Sequence, residues 1–431
     1  MSDAPSRIAE PMTENTFLAE AAGNDDPPAP VKGLRRLMWW IIPANLGIFL
    51  VWGAVPGILL PQQIALQFGD EQKLAVYTVV ATVGAFAAML AQPIAGQISD
   101  RTRSTFGRRA PWIILGALAG SLSLVGLAAA NSVVGIILAW TLVQICFNFS
   151  QGPLSAVMPD RVPLKRRGTF AALSGIGLMV GAIGGQIVGS MFFHSITLGY
   201  VIFAVIAIVL LTLFIVFNPD YSSAEMRKEP FRFGDFVRTF WVNPVKHPDF
   251  FWAFTGRLLL YTGYFAVTGL QLYLLTDYFH VEAPEAVIPL LGLLSLVGIL
   301  ISTAVSGPLS DRVGRRKPFV FGSAAVVALG FLLPWIWPDF TSWLIMTFVA
   351  GFGFGMFQAV DTALMSEVLP SAKSFAKDLG IVNIAATLPQ TLAPGIAGAI
   401  ALAFGYAALF PVAIVLGLLG AFAIWPIKAT R

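Results

Sequence analysis

The chain is predicted to be an all-α membrane protein: twelve transmembrane helices in two pseudo-symmetric six-helix bundles. Three observations carry this. Hydrophobic residues make up 57% of its 431 residues and charged residues 12%, where a soluble domain carries about a quarter charged. A polar, basic stretch occurs twice. Lys and Arg gather in alternate loops between apolar runs, as cytoplasmic loops of membrane proteins do.

The repeated stretch reads Gly96, Gln97, Ile98, Ser99, Asp100, Arg101, then Gly107, Arg108, Arg109, Ala110, Pro111. It returns as Gly307, Pro308, Leu309, Ser310, Asp311, Arg312, Val313, Gly314, Arg315, Arg316, Lys317, Pro318. The start is offset by 211 residues and the end by 207, so the first copy carries a four-residue insertion. Further on, Gln151, Ala156, Met158, Asp160 and Pro163 align with Gln358, Ala363, Met365, Glu367 and Pro370, again at 207. One offset held over so many positions marks two related halves.

In chain order, residues 1–37 hold Pro5, Pro11, Pro27, Pro28 and Pro30 among scattered acids, too few large apolar groups for a core, and are expected to be a disordered cytoplasmic tail. With no apolar run and cleavage site ahead of it, no removable signal peptide is expected. Apolar segments near the ~20 residues that span a bilayer follow at 38–60, 74–98, 111–129, 132–158, 169–193 and 197–217, which form the first bundle, 38–217. A polar linker at 218–249 carries Arg227, Lys228, Arg232, Arg238 and Lys246. Six more segments, at 250–278, 286–309, 318–337, 340–366, 379–402 and 405–426, form the second bundle, 250–427. With both termini inside, 25 of the 27 Lys and Arg fall in tails and inward loops, Lys73 alone lies outside, and Arg257 lies within a helix. Gly and Pro recur in the segments, as at Pro56, Pro93, Pro153, Pro389 and Pro394, giving close helix contact and bends.

Composition also excludes several classes. A single Cys146 rules out an internal disulfide, and three His give no zinc or haem cluster, so no metal or cofactor is expected. His194, His247 and His280 are scattered without a nucleophile or partner, so no enzyme is expected. The net charge of +4 is explained by its placement and signals no nucleic acid.

Ionisable residues inside spans cost free energy and mark candidate function. Arg257 lies about seven residues into the seventh helix, roughly 10 Å deep, and Asp361 about five residues from the inner end of the tenth, roughly 8 Å deep. Those helices run antiparallel, so the two can face one another. One reading is a buried pair in a central cavity, with Asp361 a proton or hydrogen-bond acceptor and Arg257 its counter-charge. The other is that Arg257 snorkels to the headgroups and Asp361 belongs to the gate. Asp277 is expected to be a plain interfacial charge at the outer end of the seventh helix. Neutral groups complete the candidate cavity: Trp52, Asn148, Gln151, Tyr264, Gln271, Gln358, Asn383 and Gln390. Amides supply donors and acceptors and an aromatic face covers the apolar side of a sugar. Each of them singly is more often a helix-to-helix hydrogen bond.

The pattern Gly, three residues, Asp, Arg, then Gly, Arg, Arg resembles the loop between the second and third helices of major facilitator superfamily transporters, repeated between the eighth and ninth. The resemblance covers nearly the whole chain beyond residue 37 and implies the major facilitator fold. It further implies that Asp100, Arg101, Arg108, Arg109, Asp311, Arg312, Arg315 and Arg316 latch the cytoplasmic ends of the halves in the outward-facing state, with Asp160 and Glu367 as partners. The alternative is a basic loop that only fixes topology. Over about thirty residues the likeness is narrower. Asn148, Phe149, Ser150, Gln151, Gly152, Pro153, with Ala156 and Asp160, is similar to the fourth helix of plant sucrose-proton symporters. The long first loop is similar to theirs and to the glycoside, pentoside and hexuronide cation symporters. The chain departs from these groups in having no acid between Leu74 and Ser99 or between Gly168 and Phe193. Sodium coupling is therefore not expected, and proton coupling would rest on Asp361 or a helix-end carboxylate.

The resemblance implies a secondary transporter of a small polar solute, a sugar or glycoside carried with a proton; the placement of positive charge and the lack of an organelle address point to a plasma or bacterial inner membrane, and a monomer is expected. Two alternatives stand beside it: a proton-driven exporter of amphipathic compounds, and a non-transporting membrane sensor.

Overall fold

The computed structural model describes residues 33–224, 244, 246–367 and 375–427, and within them the side chains at 164, 165, 311, 362, 363, 366–387 and 391 are not described. Most of the expected tail, the centre of the expected linker, and the side chains of Asp311, Glu367 and Asn383 thus lie outside the described residues.

Among the described residues, twelve main helices follow one another: α1 Leu34–Ala54, α2 Leu60–Arg101, α3 Ala110–Ala129, α4 Val133–Ser155, α5 Leu164–Met191, α6 Ile196–Phe217, α7 Pro248–Thr268, α8 Pro284–Val313, α9 Lys317–Ile336, α10 Phe340–Glu367, α11 Phe375–Phe404 and α12 Leu409–Ala423. Among the described residues, nine helical stretches are long and apolar enough to cross a membrane, or ten with the pair Pro248–Thr268 and Gln271–Tyr278, bent by 45°. The stretch Leu34–Arg101 holds two crossings joined at Gly69 (φ 71°, ψ 176°), and α11 supplies the last, which makes twelve.

Local chemistry sets the breaks. Pro56 lies in a π-helical turn, Val55–Leu59, between α1 and α2, where its missing N–H disturbs the helical ladder. The Pro56 carbonyl accepts a hydrogen bond from the Tyr77 hydroxyl at 3.0 Å. Ser132 caps α4 by accepting from the Gly135 N–H. Both copies of the repeat place a glycine in the left-handed region, Gly107 at φ 86° and Gly314 at φ 66°, and each is followed by a helix with Pro in its first turn.

Helix contacts repeat with the sequence. In the first half α1 lies on α5 and α6, α2 on α4, α3 on α4 and α6; in the second α7 lies on α11 and α12, α8 on α10, α9 on α10 and α12. Each contact recurs six helices later. Between the halves, α2 runs along α11 and α5 meets α8, a pair of contacts related by the same pseudo-symmetry. Near the face opposite the basic loops, a Cβ on Gly398 or Gly395 of α11 would collide with the hydroxyls of Thr78 and Thr82 on α2.

The α1–α5 seam is lined by glycine. Gly177, Gly181, Gly185 and Gly189 recur every four residues along α5 and face α1, while Gly53 of α1 faces the carbonyl oxygen of Ala182. Gly53→Ala should overpack this seam and cost ~1–3 kcal/mol, seen as a lowered thermal midpoint of the purified protein. Gly57→Ala, where the new Cβ meets nothing within 4 Å, should leave the midpoint unchanged.

Candidate functional site

Arg257 on α7 and Asp361 on α10 meet inside the second half, Nε to Oδ2 3.2 Å apart, with side chains 10% and 1% exposed. The approach is ionic only. Neither Asp361 oxygen nor the Arg257 Nε makes a hydrogen bond among the described residues. The guanidinium lies 5.4 Å from the ring centre of Tyr261, one helical turn on, which adds a cation–π contact. Tyr261 was not among the residues expected at the site, although its i+4 spacing from Arg257 was a usable signal. A single guanidinium therefore compensates a carboxylate that has no other donor. The arrangement can hold one charge, release it when the carboxylate takes a proton, and present a forked donor to a polar ligand.

In the first half the Trp52 indole N–H of α1 donates to Gln151 Oε1 of α4 at 2.9 Å, and the Trp52 ring meets Trp140 and Phe147 edge-on. Asn148 is buried and turns back on its own helix, its amide donating to the Gln144 carbonyl at 2.8 Å. Tyr264 is stacked on Phe354 with ring centres 4.1 Å apart, so its face is already covered. Gln271 sits at the bend that follows α7, beside Leu272 and Tyr273. Gln358 and Gln390 are exposed on α10 and α11. The structure thus brings together Arg257 with Asp361 and Trp52 with Gln151, one pair in each half.

The repeated basic loop folds as a charge network in the first half. The Arg109 guanidinium is nearly enclosed and reaches Asp100 Oδ1 at 2.5 Å, Asp160 Oδ2 at 2.8 Å and Ser99 Oγ at 3.1 Å. Arg108 approaches the other oxygen of Asp160 at 2.6 Å. Arg101 donates to the backbone carbonyl and side chain of Gln97. In the second copy Arg316 donates to Ser310 Oγ at 3.0 Å, matching the Arg109 to Ser99 bond, while Arg312 and Arg315 are exposed. Asp160, expected to pair with Arg101, Arg108, Arg312 or Arg315, here serves Arg108 and Arg109 of its own half. An unforeseen partner is Asp220, past the end of α6, whose Oδ2 accepts the Arg109 backbone N–H at 3.1 Å and whose side chain fills the space beside Gly107. Nothing in its sequence context marks it.

Removing a partner from an enclosed ion network costs ~3–5 kcal/mol, an exposed pair ~0–1. Arg109→Ala should therefore lower the thermal midpoint far more than Arg108→Ala, whose side chain is 29% exposed. Equal effects would show that enclosure does not set the strength of this network.

The sequence profile described as MFS/sugar transport protein matches residues 72–410, most of the chain. The Arabidopsis thaliana sucrose transport protein SUC4 is 26% identical over 181 residues, 38% of this chain, and the match spans about a third (35%) of that protein. The Escherichia coli tetracycline resistance protein, class C, is 27% identical over 329 residues, 72% of this chain and 76% of that one. Among solved structures, the nucleoside transporter NupG superposes with a TM-score of 0.70 at 16% identity, covering 91% of this chain and 99% of that one. The human organic anion transporter MFSD10 superposes with a TM-score of 0.62 at 15% identity, covering 93% and 100%. At such identities the superpositions speak for the fold alone. The matched profile, the repeat it spans and the twelve-helix architecture agree: this chain is a multi-pass membrane transporter of the MFS/sugar transport protein family.

Proposed function

We propose that the chain moves a sugar or glycoside by alternating access and couples that movement to a proton held between Asp361 and Arg257. The observation that carries this reading is the buried ion pair itself. A carboxylate enclosed in the bundle with one counter-charge and no hydrogen bond is costly to keep charged and is freed from its partner by one proton. Such a group binds differently in two conformations, which is what couples an ion to a conformational cycle. Trp52, Gln151 and Asn148 supply an aromatic face and amides of the kind that suit a polyhydroxylated solute. The sucrose transport protein likeness and the family profile support a sugar. The longer likeness to a tetracycline resistance protein supports a second reading, export of an amphipathic compound.

The basic loops are the cytoplasmic side on this reading, and both termini lie there. The halves then touch at the outer ends of α2 and α11, and the chain stands in the inward-facing state. Arg312, Arg315 and the Asp100, Arg101, Arg108, Arg109 and Asp160 network form the inner gate together with Arg316, Asp311 and Glu367, and rearrange when it shuts.

Purified protein in liposomes on a solid-supported membrane should give a transient current with one of a panel of mono- and disaccharides, without sodium, that grows with an inward proton gradient. Silence across the panel from folded protein would move the assignment to the exporter. Asp361→Asn should abolish proton-driven accumulation while solute exchange stays within about threefold of the parent; unchanged accumulation would remove Asp361 from coupling.

A further inference from the structure

Lys73, the lone cation expected on the outer face, is not an exposed interfacial charge. Its side chain is 7% exposed, and its ammonium lies 2.7 Å from Asp70 in its own helix and 2.7 Å from Asp277 in the other half. The Tyr273 ring covers it at 5.5 Å. Asp277 is served from its own half as well: the Thr276 hydroxyl donates to Oδ1 at 2.7 Å and the Tyr406 hydroxyl to Oδ2 at 2.8 Å. A further bond crosses the same seam, Tyr273 hydroxyl to the Pro61 carbonyl at 3.0 Å, and the Tyr77 hydroxyl, which donates to Pro56, lies 3.4 Å from the Gly269 carbonyl of the other half. A pocket of about 420 Å³ opens beside the cluster, lined by Gln62, Asp70, Asp277 and His280 among others. His194 and Glu285 also meet across the halves at 3.3 Å, but His194 is 81% exposed and that pair contributes little.

We propose that Lys73 is a two-position latch for this face: it bridges the halves through Asp277 when the face is shut and keeps Asp70 as its partner when the face opens. Both charges have a partner at home. On separation Lys73 retains Asp70, and Asp277 retains the hydroxyls of Thr276 and Tyr406, so neither ion is stranded. Opening forfeits one ion pair rather than exposing two bare charges, and the latch closes the face without freezing it. The device is independent of the coupling assigned to Asp361.

This arrangement makes an unusual demand on two carboxylates that share one lysine. Removing Asp277 takes away the bridge and should ease opening. Removing Asp70 leaves the bridge in place but strands Lys73 in the open state, and should hinder opening. The two substitutions should act with opposite sign.

The rate at which N-ethylmaleimide modifies a cysteine at position 78 measures rare opening, because Thr78 lies against Gly398 while the face is shut. In a Cys146→Ala, Thr78→Cys background, Cys146 being the sole native cysteine, Asp277→Asn and Lys73→Met should each accelerate modification. Asp70→Asn should slow it, all by roughly two- to fivefold, as expected for one partly exposed ion pair. Asp70 is 91% exposed, so its substitution leaves the fold intact and by itself decides the matter. Acceleration by Asp70→Asn, or a rate unchanged from the parent, would overturn the two-position latch.

Discussion

In a bilayer, lipid tails are as apolar as leucine, so helices gain little by burying side chains against one another and associate instead through close approach of their backbones. The rest of this molecule depends on that constraint. The glycines spaced by four along α5 let α1 lie directly on it, and Gly256 and Gly420 each meet the other's carbonyl oxygen between α7 and α12. Where the two halves touch, Gly395 and Gly398 do the same against Thr82 and Thr78. Close seams within each half make rigid bundles. Around the close seam between the halves lie ion pairs and hydrogen bonds that cross it.

Charge follows the same division. The Arg109 network ties one end of the first bundle to itself through Asp100, Asp160 and the Asp220 carboxylate. The Arg257–Asp361 pair lies inside the second bundle, away from water. Lys73 bridges the bundles at the opposite end. Low dielectric makes the two enclosed sets strong and costly to leave half made, while the Lys73 bridge, with partly exposed partners, is weaker.

The pairing of Arg257 with Asp361 was readable as a possibility from depth alone, since two ionisable groups at similar heights on antiparallel helices have few other partners. The role of Tyr261 could have been read from its helical spacing. Gln271 illustrates the opposite. Its sequence context is an apolar span, yet a bend after Thr268 moves it toward the outer seam. Asp160 aligns with Glu367 by the repeat, which points to a shared gate role, but that Arg108 and Arg109 both reach Asp160 is seen only in the folded first half.

What the sequence by itself determined was the class, the helix order and the repeat, because hydrophobic length and an internal offset are one-dimensional properties that the bilayer and the fold read directly. The recurrence of left-handed glycines at 107 and 314, and of the Arg109 to Ser99 contact as Arg316 to Ser310, follows from that repeat. Only the tertiary structure decided which charges meet. Lys73 and Asp277 lie far apart in the chain, on opposite halves, and neither periodicity nor composition relates them. They pair where the bent segment after α7 meets the start of the second crossing, and that meeting is a property of the assembled bundles.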